Sequence, residues 1–202
     1  MKKRVIFDID GTLLPKINFE KSVIQSFNEL NLPYNKKIID SFIEGMLDYE
    51  KYFDRYTLKN YFNHLYKKTN GAITYEFVLN YLNNPQRLVP NEISKEVYDV
   101  LEYLSLKYEL VVLTNFFKEV QEKRLEQFDL AKYFLEIIGG DLFIKPDEKS
   151  FLAAKGKLNL EDCIYVGDNI DIDLLGAYNA GMDFVLVDYN SKNNISVLKK
   201  ML

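Results

Sequence analysis

Four short apolar runs along the chain predict buried β-strands. Each holds three or four residues, mostly Val, Ile and Leu, and each is followed by a polar or small residue. The runs cover residues 5–7, 110–113, 164–166 and 184–187. Continuous apolar runs of this length are typical of parallel sheets, because helices cover both faces of such a sheet.

Helical patterns separate these runs. Apolar residues return every three or four positions over about 92–107, 117–130 and 170–180, and Gly181 is a helix-stop signal after the third segment. Strands that alternate with helices indicate an α/β fold with right-handed crossovers. We therefore expect a doubly wound, Rossmann-like parallel sheet.

The segment 15–88 interrupts the alternation. It reads as a succession of helices over about 17–30, 36–47, 49–68 and 74–83, with Asn70-Gly71 as a turn and Thr74 as an N-cap. A segment of this size is too long for a loop. We expect a small helical cap domain at 15–88, and an α/β core domain built from 1–14 and 89–202.

Composition and charge exclude several classes of protein. The 202 residues carry 26 Lys and Arg against 30 Asp and Glu, a formal net charge of −4, which argues against sequence-independent nucleic-acid binding. A single cysteine, Cys163, excludes an internal disulfide. No stretch approaches the roughly 20 apolar residues that span a bilayer. We expect a cytoplasmic protein that binds neither nucleic acid nor membrane; its oligomeric state stays open.

Polar residues follow the predicted strands at the points where ligands bind in open α/β sheets. Asp8 and Asp10 come after the first strand, Thr114 and Asn115 after the second, and Asp168 after the third. Because the carboxyl ends of parallel strands meet at one edge of the sheet, we expect these five side chains to converge.

The carboxylates suit a phosphoryl-transfer reaction. Asp8 and Asp168 would form an oxygen-only site of the kind that Mg²⁺ prefers. Asp8 could attack phosphorus to give an aspartyl-phosphate, while Asp10 donates a proton to the leaving oxygen and later takes one from water. Gly11 and Thr12 form a tight turn whose N–H groups are expected to approach a phosphate.

Three further residues are candidates for holding that phosphate. The Thr114 hydroxyl and the N–H group that follows it, at Asn115, are expected to bind non-bridging oxygens. Lys145, followed by Pro146 and Asp147, would balance the charge that develops on the phosphoryl group.

Four segments, in order, resemble the motifs of the haloacid dehalogenase-like hydrolase superfamily. They are DIDGTLL from Asp8, LTN from Leu113, KPD from Lys145, and GD from Gly167 together with Asp173. The resemblance covers residues 4–14 and roughly 90–188.

The resemblance implies a role for each acidic residue. Asp8 would be the nucleophile and a Mg²⁺ ligand, and Asp168 a direct metal ligand. Asp10 would be the general acid and base, and its main-chain carbonyl would also bind the metal. Asp173 would orient metal-bound water or Lys145 without binding the metal itself.

The resemblance also assigns the remaining parts of the chain. Thr114 would orient the phosphate and Lys145 would stabilise the nucleophile and the transition state. The insertion resembles the helical cap of the first cap class. The stretch that contains Gln121 and Arg124-Leu125 resembles phosphoglycolate-phosphatase-like and nucleotidase-like members of the superfamily.

The expected function is a Mg²⁺-dependent phosphatase acting on a small phosphorylated metabolite. A dehalogenase of the superfamily would attack carbon without a metal or an acid/base and would lack the second aspartate of the first motif, so Asp10 and Asp168 argue against it. A phosphomutase shares every catalytic residue and differs in its cap, so it remains an alternative. A receiver-type phosphoacceptor is disfavoured, because it carries no large insertion after its first strand.

Aromatic residues are concentrated in the predicted cap. Of the 15 Tyr and 14 Phe in the chain, eleven lie between Phe42 and Tyr81. A small helical domain needs large side chains to bury enough apolar area. A few of these aromatic residues are expected instead to face the active site and contact the leaving group. The candidates are Tyr49, Tyr52, Phe53 and Tyr56.

Overall fold

A five-stranded parallel sheet forms the centre of the protein. The structure is a computed structural model that describes residues 2–192 and 194–202. The strands are β1 (Arg4–Phe7), β2 (Glu109–Leu113), β3 (Glu136–Ile138), β4 (Cys163–Gly167) and β5 (Asp183–Leu186). Their spatial order is β3-β2-β1-β4-β5, with every neighbouring pair parallel. The predicted doubly wound sheet is confirmed; β3, with three residues, is too short to stand out as an apolar run.

The segment after β1 is helical. Its α-helices are α1 (Phe19–Glu29), α2 (Lys36–Asp48), α3 (Leu58–Lys68) and α4 (Tyr75–Asn83), with 3₁₀ helices at Tyr49–Lys51 and Pro85–Leu88. The prediction of one helix over 49–68 is wrong, because a loop separates Lys51 from α3. Thr57 caps α3 there, since its hydroxyl accepts a hydrogen bond from the Asn60 N–H at 3.3 Å. The division into core and cap domains stays a prediction.

Helices cover both faces of the sheet. They are α5 (Lys95–Ser105), α6 (Lys118–Glu126), α7 (Glu148–Lys155), α8 (Leu175–Ala180) and α9 (Leu198–Met201). Val5 and Phe7 of β1 pack with α5 and α9, whereas Ile6 packs with α7 and α8. This alternation follows from the two-residue period of a strand, and it explains why the apolar runs are unbroken.

The helical segment has its own buried cluster, and that cluster extends to residues beyond the segment. It is built from large side chains such as Phe42, Tyr49 and Phe77, and it includes Val120 and Ile144 from outside the segment. We call residues 52–57 the anchored loop, because main-chain hydrogen bonds tie it to the core. The Tyr56 N–H donates to Gly140 O at 2.7 Å, and the Ile144 N–H donates to Asp54 O at 3.1 Å.

The single cysteine and the lengths of the helices complete the description of the fold. Cys163 is fully buried and has a free thiol. In the ranges 2–192 and 194–202, every helix is too short or too polar to cross a bilayer.

Candidate active site

The predicted site residues converge on one cavity at the carboxyl edge of the sheet. Asp8 directly follows β1, Thr114 follows β2 and Asp168 follows β4. The cavity has a volume of about 430 Å³. The predicted residues that line it are Asp8, Asp10, Thr114, Asn115, Lys145, Asp168 and Asp173.

Lys145 lies at the centre of the site. It is almost completely buried, and its Nζ lies 2.7 Å from each of three oxygens: Asp8 Oδ1, Asp173 Oδ1 and Tyr165 Oη. Burial opposes its charge, but the carboxylates of Asp173 and Asp8 raise the pKa of Lys145 above the ordinary lysine value. Lys145 is therefore a charged ammonium that links two acidic groups.

Asp8 is buried within a concentration of negative charge. The pKa of Asp8 is raised to about 7, mainly by burial and also by the carboxylates of Asp173 and Asp10, although the Lys145 ammonium lowers it. Lys145 is shared between Asp8 and Asp173, so one ammonium faces two carboxylates. The site can accommodate further positive charge.

Asp8, Asp168 and Asp173 each offer a carboxylate oxygen within 4.8 Å of the others. Asp173 is nevertheless fully engaged by protein donors. Its Oδ1 accepts from Lys145 at 2.7 Å and from Tyr165 at 2.9 Å, and its Oδ2 accepts from the N–H groups of Asp168 and Asn169 at 3.2 and 3.0 Å. This leaves Asp8 and Asp168 as the carboxylates available to a metal.

The donor set at Asp8 and Asp168 fits a hard divalent cation, because it consists of carboxylate oxygens beside a buried excess of negative charge. Asp168 already attracts a cation: Lys16 Nζ lies 2.8 Å from its Oδ2, at the end of a side chain that is 74% exposed. An exposed lysine holds such a position weakly, since it gives up hydration and side-chain freedom for the contact.

Asp10 forms an ion pair that the sequence did not indicate. Its two carboxylate oxygens accept hydrogen bonds from the Arg124 guanidinium at 2.5 and 2.8 Å. Arg124 is 1% exposed and also donates to Leu88 O and Gln121 Oε1. In this pair the guanidinium engages both carboxylate oxygens of Asp10. Proton transfer by Asp10 therefore requires it to leave this pair.

Gly11 and Thr12 do not support the expected phosphate contact. The Gly11 N–H donates to Leu14 O at 2.6 Å, and the Thr12 N–H donates to Ile9 O at 3.2 Å. The Thr12 side chain is fully buried. Both N–H groups are committed to the turn itself, which corrects the prediction that they approach the phosphate.

Gly11 has a different importance in the structure. Its φ is +86°, and a Cβ at this position would lie 2.3 Å from Asp168 Oδ2. The glycine therefore lets the turn after β1 pass directly against the Asp168 carboxylate.

Thr114 and Asn115 are already engaged with protein partners. The Thr114 hydroxyl donates to the Asn115 carbonyl at 3.1 Å and accepts from Gln121 Nε2 at 2.9 Å. Asn115 Oδ1 accepts from the Lys145 N–H at 2.8 Å, and its Nδ2 donates to Glu50 at 2.7 Å. Asn115 thus positions the Lys145 main chain, and a phosphate contact by Thr114 would require its hydroxyl to rotate.

Two groups in the site were missed by the sequence analysis. Tyr165, inside β4, contacts both Lys145 and Asp173. Glu50, in the 3₁₀ helix after α2, lines the cavity from the helical segment. A polar hydroxyl in an otherwise aliphatic strand was the only available signal for Tyr165, and no signal marked Glu50.

Comparisons with known proteins add to this geometry. A family model described as haloacid dehalogenase-like hydrolase matches residues 5–187. Glyceraldehyde 3-phosphate phosphatase of Methanothermobacter thermautotrophicus is 28% identical, over 98% of this chain and 94% of its own length.

Two solved structures share the fold. The HAD-hydrolase YfnB of Bacillus subtilis, bound to magnesium, has a TM-score of 0.72 at 18% identity and covers 100% of this chain and 98% of its own. L-2-haloacid dehalogenase of Xanthobacter autotrophicus, with chloropropionic acid covalently bound, has a TM-score of 0.69 at 17% identity, over 100% of this chain and 82% of its own. At these identities the structures show a common fold only.

Proposed function

The chain belongs to the haloacid dehalogenase-like hydrolases, as its motifs predicted, and on this basis we propose that it is a Mg²⁺-dependent phosphatase. The substrate is a small phosphorylated metabolite, and the reaction passes through an aspartyl-phosphate on Asp8. The observation that carries the proposal is the buried Asp8–Lys145–Asp173 arrangement next to Asp168. It brings together a carboxylate for nucleophilic attack, a fixed cation, and a second carboxylate whose partner is the exposed Lys16, at one edge of the sheet.

Asp8 and Asp168 would hold the Mg²⁺ ion, together with the main-chain carbonyl of Asp10. When bound, the ion supplies positive charge that favours the ionised form of Asp8 and attracts the substrate phosphate. Asp173 keeps Lys145 in place and does not bind the ion, because both of its oxygens are engaged by protein donors.

The chain's own groups account for the two chemical steps. An Asp8 carboxylate oxygen attacks phosphorus, the bond to the leaving oxygen breaks, and Asp10, in its protonated form and detached from Arg124, gives that oxygen a proton. Water then attacks the phosphorus of the aspartyl-phosphate, Asp10 takes the water proton, and the Asp8 carboxylate is restored. The Lys145 ammonium stabilises negative charge on the phosphoryl group in both steps.

Hydrolysis of p-nitrophenyl phosphate tests the proposal. Activity is expected with Mg²⁺, lost with EDTA and restored by added Mg²⁺. Asp8→Asn abolishes turnover, whereas Asp171→Asn, the same change at an exposed position in the helical turn Ile170–Leu174, leaves it intact. Full activity in Asp8→Asn, or in metal-free protein, would refute the assignment.

The same preparation separates the alternatives. A dehalogenase would release halide from a 2-haloacid without Mg²⁺, which we expect not to occur because Asp10 is present. A phosphomutase would return an isomeric phosphosugar instead of inorganic phosphate. The similarity to a glyceraldehyde 3-phosphate phosphatase supports a small phosphate monoester as substrate.

A further inference from the structure

Among the described residues, the helical segment contributes one carboxylate to the cavity, that of Glu50. Glu50 Oε1 accepts a hydrogen bond from Tyr56 Oη at 2.8 Å, and its Oε2 accepts one from Asn115 Nδ2 at 2.7 Å. Burial raises the pKa of Glu50, but these two hydrogen bonds stabilise the ionised form. Hydrogen-bond donors at both oxygens favour the carboxylate, and in that form Glu50 brings negative charge to the cavity.

Glu50 is held rigidly at this position. One partner, Asn115, follows β2. The other partner, Tyr56, belongs to the anchored loop, and its main-chain N–H donates a hydrogen bond to Gly140 O at 2.7 Å. The Tyr56 ring also packs against Phe116 and Phe117, with ring centroids 5.4 and 5.3 Å apart. Some of four aromatic residues, Tyr49, Tyr52, Phe53 and Tyr56, were expected to face the site; among the described residues, Tyr56 is the one of the four that lines the cavity.

Apolar side chains also line the cavity, and they include Ile17, Phe19, Met46, Leu88 and Phe116. Within the described part of the chain, each cation that lines the cavity already pairs with a carboxylate: Lys16 with Asp168, Arg124 with Asp10, and Lys145 with Asp8 and Asp173.

We propose that Glu50 determines specificity by selecting phosphate monoesters whose leaving group is uncharged and carries a hydroxyl, and by rejecting those whose leaving group carries a carboxylate. This inference rests on the proposed phosphatase function. A substrate hydroxyl can donate a hydrogen bond to a Glu50 oxygen, since a carboxylate accepts more than the two bonds present here. A substrate carboxylate would meet like charge in a desolvated site, which opposes binding strongly.

Glycerol 3-phosphate and 3-phosphoglycerate form a matched pair of substrates. Both have three carbons and one phosphate, and they differ in whether the far carbon is a hydroxymethyl group or a carboxylate. We expect kcat/KM for glycerol 3-phosphate to exceed that for 3-phosphoglycerate by about tenfold or more, the scale of a single charged contact in a binding pocket.

The variant Glu50→Gln tests the assignment, because glutamine keeps the shape and an acceptor for Tyr56 while it removes the charge. We expect the ratio of the two kcat/KM values to fall about tenfold, mainly through faster hydrolysis of 3-phosphoglycerate. The ratio is the readout, because a general loss of activity, such as one transmitted through Asn115, lowers both kcat/KM values alike. Glu119→Gln, on the exposed face of α6, is the matched control and should leave the ratio unchanged.

The outcomes are distinguishable. If the parent protein hydrolyses p-nitrophenyl phosphate but its substrate ratio is the same in Glu50→Gln, the inference about Glu50 is overturned and the phosphatase function stands. A parent preference for 3-phosphoglycerate over glycerol 3-phosphate also overturns it. So does a result in which the ratio of the two kcat/KM values changes in Lys16→Met, a variant of a cation that lines the cavity, and not in Glu50→Gln. If the parent hydrolyses no phosphate monoester in the presence of Mg²⁺, the phosphatase function itself fails.

Discussion

Removing the Tyr165 hydroxyl tests whether the site depends on a fixed Lys145. Tyr165 is fully buried, and burial raises its pKa well above the ordinary tyrosine value, so it is a neutral hydroxyl. It accepts a hydrogen bond from Lys145 at 2.7 Å and donates one to Asp173 at 2.9 Å. Tyr165→Phe therefore leaves a buried ammonium with two acceptors for its three protons.

The size of the effect follows from these two bonds. A hydrogen bond to a charged partner contributes about 1.5–3 kcal/mol, and the bonds that remain recover part of the loss. We expect the free energy of unfolding to fall by about 2–3 kcal/mol. For a chain of this length that lowers the Tm by about 4–12 °C. Turnover should fall about tenfold or more, the usual scale for a group that orients an active-site residue.

Tyr61→Phe is the matched control. Tyr61 is also fully buried, but among the described residues its hydroxyl has no hydrogen-bond partner. Removing an unsatisfied hydroxyl should leave the Tm unchanged or raise it. The assays are thermal unfolding followed by circular dichroism and steady-state hydrolysis of p-nitrophenyl phosphate. Equal Tm values for the two variants, or parental turnover in Tyr165→Phe, would refute the reasoning.

Two further changes test the contacts around the nucleophile. Arg124→Lys cannot form the two-point contact with Asp10, so Asp10 leaves the pair more easily and we expect kcat to be kept or to rise. A fall of about 100-fold, which misplaced catalytic groups typically show, would mean that the intact pair is needed in turnover. Gly11→Ala would place a methyl group 2.3 Å from Asp168 Oδ2 at φ +86°, and we expect it to cost about 1–3 kcal/mol of stability and most of the Mg²⁺-dependent activity. Gly71→Ala is the control, because Gly71 has a similar φ of +79° but the atom nearest to an added Cβ lies 3.1 Å away. If both variants lost the same stability and activity, the close contact between Gly11 and Asp168 would have no special role.

Much of the fold could be predicted because each strand carries its own local pattern. The apolar run at 5–7 is followed at once by Asp8, and a parallel sheet places such strand ends on one edge. Convergence of Asp8, Thr114 and Asp168 then follows from topology alone. The three-residue β3 carries too little pattern to be recognised.

The contacts that set the chemistry depend on distant parts of the chain. Arg124 and Asp10 are 114 positions apart, and Asn115 and Glu50 are 65 apart. Each of these residues taken alone is typical of a helix or a loop. Pattern reasoning also merged the 3₁₀ helix at Tyr49–Lys51 with α3 and so hid the anchored loop, which is stabilised by hydrogen bonds to the core.

The central claim is that Asp8 receives the phosphoryl group. The most direct measurement is rapid acid quench of the protein during turnover of p-nitrophenyl phosphate with Mg²⁺, followed by peptide mass spectrometry. We predict a phosphoryl group on the peptide that contains Asp8, absent from Asp8→Asn and more abundant in Asp10→Asn, where hydrolysis of the intermediate lacks its base. Turnover with no phosphoryl group on that peptide in any of these proteins would contradict the account.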